Sequence, residues 1–135
     1  MELLINLDVD VLERAIDFYT RAFDLEVGRR MGNDFVELLG ASSKLYLLVK
    51  RAGTVPCAGS VRTYARHWTP VHLDFLVDDV EAAVARVLAA GATQESPLEE
   101  QAYGRLAMFA DPFGNGFCLL QLVGAGYDAI TTGHG

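Results

Sequence analysis

His72 and Cys118 are the two residues in this chain whose types best suit chemistry. A neutral imidazole can ligate a metal, take a proton near neutrality or hydrogen-bond a bound molecule. A thiolate can ligate a soft metal or attack an electrophile. Asp74 follows His72 by two residues, and Asn6 and Asp8 follow Leu4 by two and four. In an extended segment, side chains two apart share a face, so these residues would place several polar groups on one concavity. Charged groups in mid-strand need partners or water, and a cleft supplies water where a dry core does not. Glu37, within Phe35-Val36-Glu37-Leu38-Leu39, is either a cleft acid or an outward, solvated side chain. Tyr46 would donate its hydroxyl to a ligand or simply pack. Trp68 and Tyr64 would stack on a planar ligand or cover a dimer seam. No base adjoins Cys118 in the sequence and no helix start precedes it, so a role as a small core residue competes with reactivity. For His72 the competing role is a half-buried strand histidine bonded to a neighbour.

These residues sit in a duplicated framework. Leu4-Ile5-Asn6-Leu7-Asp8-Val9-Asp10, followed by Leu12-Glu13-Arg14-Ala15-Ile16, returns at an offset of 68 as His72-Leu73-Asp74-Phe75-Leu76-Val77-Asp78, followed by Val80-Glu81-Ala82-Ala83-Val84. Each copy reads as a strand entering a helix. Asp10 with Glu13, and Asp78 with Glu81, have the spacing of an N-cap with a capping box. Leu12, Ile16, Tyr19 and Phe23 fall on one helical face, as do Val80, Val84, Val87 and Gly91. Strands are then expected at about 27–31, 34–39 and 44–50, and again at about 93–96, 104–110 and 116–123. Asp111-Pro112-Phe113-Gly114-Asn115-Gly116 is dense in turn formers and separates the last two. The expected organisation is a βαβββ module over 1–50, a connector over 51–70, a second βαβββ module over 71–123 and a fraying tail over 124–135. His134, in that tail, is expected to be inert. A connector this long is usually functional or mobile, and it carries Arg62, Tyr64, Arg66, His67 and Trp68.

Bulk properties narrow the function classes. With 135 residues, 51% hydrophobic and 21% charged, the chain is expected to fold as one domain or two small modules sharing a core. A formal net charge of −7, with no basic run, opposes nucleic acid and suits a neutral or cationic small molecule. Cys57 and Cys118 are too few for a disulfide framework. The apolar runs fall short of the roughly 18–20 residues that span a bilayer, and no leader pattern opens the chain. A cytoplasmic protein is the expectation. Phosphate loops, nucleophile elbows and His-Glu-x-x-His motifs do not occur. The five-residue spacing of His67 and His72 is only a weak zinc pattern.

The tandem βαβββ pattern, Phe18-Tyr19 in the first helix and Asp111-Pro112-Phe113-Gly114-Asn115 before the last strand together resemble the vicinal oxygen chelate superfamily. That group includes glyoxalase I, bleomycin-resistance proteins, extradiol dioxygenases and fosfomycin-resistance enzymes. The resemblance spans residues 2 to about 123. It implies an α+β fold in which two βαβββ modules form a curved mixed sheet around a cleft, usually in a homodimer. In metal-dependent members it also implies one divalent ion, held by His and Glu from the first and last strands of each module. Those positions fall here on Leu4, Tyr46, His72 and Cys118, of which only His72 is of the expected type. A hard octahedral ion needs several oxygen or nitrogen donors, which a leucine cannot give. A His–Cys pair alone falls below the three protein ligands of an ordinary catalytic zinc site. Gln121 is offset from Cys118 by an odd number and would face the other way.

The expectation is therefore a binder of the bleomycin-resistance type with no cofactor. Its ligand, cationic or amphiphilic, would be held by His72, Asp74, Asp8, Asn6 and Tyr46, with Trp68 as a wall. The rival is a lyase, isomerase or dioxygenase of the same superfamily with an unorthodox site at His72, Cys118 and Glu37. A regulatory domain with a vestigial cleft is the third possibility.

Overall fold

The computed structural model describes residues 1–133, so His134 lies outside the described residues. The first module runs β1 (Leu4–Val9), α1 (Leu12–Phe23), β2 (Glu26–Arg30), β3 (Phe35–Leu39) and β4 (Lys44–Val49). The second runs β5 (Leu73–Leu76), α2 (Val80–Ala90), β6 (Thr93–Gln94), β7 (Glu99–Gln101), β8 (Gly104–Ala110) and β9 (Gly116–Leu122). A short 3₁₀ turn follows at Gly126–Ile130.

The α+β fold of two tandem βαβββ modules is as expected, and each module makes its own mixed sheet. One has the order β1-β4-β3-β2 and the other β5-β9-β8-β6, with β7 also on β8. In both, the first strand pairs parallel with the last. A helix must intervene before such a parallel neighbour can form, which explains the strand-to-helix entry at the head of each copy. The second strand of the second module is split into β6 and β7. Glu95 and Ser96 both donate backbone N–H groups to the Met108 carbonyl, and this two-against-one pairing has the form of a bulge. The sequence does not announce β7, because Glu99-Glu100-Gln101 is exposed, polar and at an edge.

Alternation along the strands divides the molecule into a covered and an open side. Ile5, Leu7 and Val9 from β1 and Leu73 and Phe75 from β5, with Val77, enter one core with both helices. Phe23 at the end of α1 stacks on Phe75, ring centroids 3.8 Å apart. Phe117 meets Phe18, Phe23, Phe75 and Phe109. Burying aromatic rings from both copies in one cluster couples two modules that are each too small to hold a core alone. The opposite parity, with Leu4, Asn6, Leu76 and Met108, is left exposed on the other side.

Both helices start one residue later than expected. α2 is capped by Asp79, whose side chain accepts from the Ala82 N–H, and Gln121 accepts from the Val80 N–H. Gln121 thus faces α2, as its offset from Cys118 required. α1 has Val11 at its N-cap and no side-chain cap. Glu13 and Glu81 are not capping-box partners either; they pair with Arg30 at 2.9 Å and Arg105 at 2.8 Å.

The connector contains no strand or helix but is tied down along its length. Arg62 donates to Asp8 (2.9 Å), the Tyr64 hydroxyl to the Lys50 carbonyl (2.5 Å), and Arg66 to both oxygens of Glu95 (2.7 and 3.0 Å). Gly116 makes the last contact possible, since a Cβ there would lie 2.6 Å from the Arg66 guanidinium.

Candidate functional site

The two sheets repeat one geometric row across their first, last and third strands. In the first module Asn6 is opposite Tyr46, and Tyr46 is opposite Glu37. In the second, Asp74 is opposite Cys118, and Cys118 is opposite Met108. The same scaffold position thus carries different chemistry in each copy.

In the first row the acid is locked. Glu37 is 3% exposed, and both its oxygens take hydrogen bonds from Arg29, the shortest at 2.6 Å, with a further one from the Tyr46 hydroxyl at 2.9 Å. Gly28 leaves room for this, as a Cβ there would sit 2.7 Å from the Glu37 carboxylate. Glu37 is thus neither a solvated outward side chain nor a free cleft base. The Arg29 hydrogen bonds, opposed by burial and helped by Tyr46, hold its pKa at about 2 against an ordinary 4.5. A carboxylate depressed in the folded state contributes stability that is complete above its unfolded pKa and is lost as pH falls through the folded value. Unfolding midpoints should therefore drop as pH falls from the unfolded value, about 4.3, toward the folded value of about 2. Glu37→Gln should flatten this part of the profile; an unchanged acid limb in denaturant melts would contradict the assignment.

In the second row the donors stay open. His72 Nε2 lies 3.2 Å from Asp74 Oδ1, with side chains 59% and 43% exposed, while Cys118 is buried beneath them. One ligand-type atom from each of His72, Asp74 and Cys118 lies within 4.8 Å of the others, the one such group of three among the described residues. Burial first, then the charge and hydrogen bond of Asp74, push the Cys118 thiol up to about 11. At neutral pH Cys118 is a thiol and a poor nucleophile. Cys57 is exposed on the connector. Iodoacetamide at neutral pH should modify Cys57 at least about tenfold faster than Cys118, as mass spectrometry would read; equal rates would show an activated Cys118.

The remaining expected residues disperse. Asp8 is engaged by Arg62. Asn6 is exposed on the open side. Trp68 is 80% exposed and has no aromatic partner among the described residues, so it walls no cleft within this chain. His67 turns back on its own segment, Nδ1 3.0 Å from the Ala65 carbonyl. Leu4 is 48% exposed and supplies only carbon, and the Tyr46 hydroxyl is spent on Glu37. The four-position hard-ion centre of the superfamily therefore does not fit these residues.

Sequence reasoning placed Asp74 on the face of His72 but did not bring it opposite Cys118. It named Arg66 on the connector but not its pairing with Glu95 across 29 residues of chain.

Comparison with known proteins agrees with this geometry. The sequence profile of the glyoxalase-like domain matches residues 4–120. The chain belongs to the glyoxalase-like domain family. Within the vicinal oxygen chelate fold, it is 40% identical over 124 residues to the uncharacterized protein Rv0887c of Mycobacterium tuberculosis, covering 87% of this chain and 72% of that one. Among solved structures, the fosfomycin resistance protein FosX of Listeria monocytogenes, in complex with Mn(II) and 1S,2S-dihydroxypropylphosphonic acid, superposes with a TM-score of 0.72. The identity is 18%, over 99% of this chain and 97% of that one. TioX of Micromonospora superposes with a TM-score of 0.70 at 21% identity, over 91% and 99% of the two chains. Among the described residues no helix is long and apolar enough to cross a membrane.

Proposed function

We propose that this glyoxalase-like protein binds a small organic molecule where its modules meet, with His72, Asp74 and Cys118 as polar anchors. The carrying observation is that one member of the open cluster, Asp74, which is paired with His72, also lines a pocket of ligand size. The pocket, about 500 Å³, is lined by Phe23, Leu25, Phe75, Leu76 and Arg86, and by Asp74 of the polar cluster. An apolar bed with a few polar groups at its edge, within the range of about 300–1,000 Å³, is the usual form of a small-molecule site. The crystal ligand of FosX, 1S,2S-dihydroxypropylphosphonic acid, supports small-molecule binding on this fold. The net charge of −7 favours a cationic or amphiphilic ligand.

Calorimetric titration with bleomycin as a cationic probe and fosfomycin as an anionic one tests this reading. Binding of bleomycin is expected, weakened about tenfold, or about 1.4 kcal/mol, in His72→Ala. Preference for fosfomycin would overturn the charge argument, and silence with both probes would overturn the binder. The reading includes a homodimer, in which a second copy covers exposed apolar side chains such as Leu4, Val71, Leu76 and Met108. Sedimentation at a single monomer mass would contradict it.

A further inference from the structure

We infer that the pocket between α2 and β5 takes an aromatic amino acid or a close zwitterionic relative, its ammonium toward Asp74 and its carboxylate on Arg86. The inference rests on the small-molecule reading above and adds the chemical class of the ligand. Both charges belong to the wall of one pocket of about 500 Å³, which Asp74 of β5, Ala83 and Arg86 of α2, and Ser42 of the β3–β4 loop line together.

The repeat sets Arg86 apart. At the offset of 68, Val80, Val84 and Val87 of α2 correspond to Leu12, Ile16 and Tyr19 of α1, and Arg86 corresponds to Phe18. Phe18 is 1% exposed, and its ring meets those of Tyr19, Phe23 and Phe117. The second copy thus puts an exposed arginine on a pocket wall where the first copy buries a ring. Ala83 stands three residues before Arg86 on the same helical face, and its small side chain leaves the space open. The methylene stem of an arginine lies well on an apolar wall while its head stays in water.

Charge supplies a second argument. Arg21, Arg29, Arg30, Arg62, Arg66 and Arg105 each hold a carboxylate, and Arg14 lies over the Phe113 ring. Among the described residues Arg86 has neither kind of partner. Arg51, on the connector, shares that state but lies outside this pocket. The planar guanidinium fork matches a carboxylate with two parallel hydrogen bonds, and the Ser42 hydroxyl is a further donor on the same wall. Asp74 is 43% exposed at its side chain and, beside its pairing with His72, keeps acceptor capacity for an ammonium.

The rest of the wall selects the body of the ligand. Phe23 and Phe75, stacked 3.8 Å apart, lie there with Leu25 and Leu119, a surface suited to an aromatic ring. The net charge of −7 opposes a doubly charged phosphate more than a carboxylate, so the acid is a carboxylate.

Calorimetric titration of the full chain with tryptophan, tryptamine and indole-3-propionate tests the class, because the three share one ring system and differ in charge. Tryptophan is expected to bind at least about tenfold more tightly than either singly charged probe. Arg86→Met, which keeps the apolar stem, should abolish its advantage over tryptamine, and Asp74→Asn its advantage over indole-3-propionate. Arg51→Met should leave both advantages intact. Equal affinity for the three probes, no binding of any of them, or an advantage that survives Arg86→Met would overturn the inference. Bleomycin binding by the same preparation would show that such a failure belongs to the zwitterion alone and leaves small-molecule binding standing.

Discussion

Asp111→Ala is expected to destabilise the fold by about 3–5 kcal/mol, the cost of breaking a buried charged network from one side. Asp111 is 5% exposed. Its Oδ1 accepts from the backbone N–H groups of Phe113 and Asn115, both at 2.8 Å, and its Oδ2 from the Asn115 amide at 2.9 Å. Those three bonds build the turn that delivers β9. The fourth comes from the Tyr19 hydroxyl on α1, at 2.5 Å and across 92 residues, so the carboxylate also ties the first module to the second. Burial, then the charge and hydrogen bond of Asp111, hold Tyr19 protonated far above its ordinary range. Tyr19→Phe removes one bond and leaves the turn intact, so its expected cost is about 0.5–1.5 kcal/mol. Denaturant melts of the two single variants and the double variant would separate the terms. A loss for Asp111→Ala no larger than for Tyr19→Phe would contradict the dual role.

Phe117→Ala is expected to cost about 3–5 kcal/mol, against the 5–15 kcal/mol that typically holds a domain together. Phe117 is 4% exposed and faces Phe18 and Phe23 from α1, Phe75 from β5 and Phe109 from β8. Truncation removes the ring about which both copies pack and leaves a cavity that the sheets cannot close. Because Phe117 lies between Gly116 and Cys118, the loss should also loosen the strand carrying the donor row. Amide exchange at 116–120 should quicken beyond the rest of the core. Phe117→Leu should recover about half of the loss; a cost below about 1 kcal/mol for the alanine variant would show that the modules are held together elsewhere.

Much of this fold was legible because its signals are local. The strand-to-helix entries at Leu4–Ile16 and His72–Val84, and the turn at Asp111–Gly116, are set by periodicity and turn chemistry within a dozen residues. Helix starts moved by one residue because Asp79 competes with Asp78 for the cap and because Glu13 finds Arg30 instead. β7 escaped because an edge strand of glutamates carries no hydrophobic alternation. In the site, the parity of His72 and Asp74 could be read, and so could the place of Cys118. The partners of Glu37 could not. Arg29 reaches it across a hairpin, over a glycine whose purpose appears only when Gly28 and Glu37 are face to face. The convergence of Asp74 on Cys118 likewise depends on a strand register that one slip would undo.

The central claim is that binding belongs to the second module's open row, and that the equivalent row of the first module is structural. Amide chemical-shift mapping of the full chain during titration with bleomycin tests this most directly. Shifts gathered at 72–76 and 116–120 and along the Phe23–Leu25 rim, with Arg29, Glu37 and Tyr46 still, are the predicted result. Shifts centred on Arg29, Glu37 and Tyr46 would contradict the account.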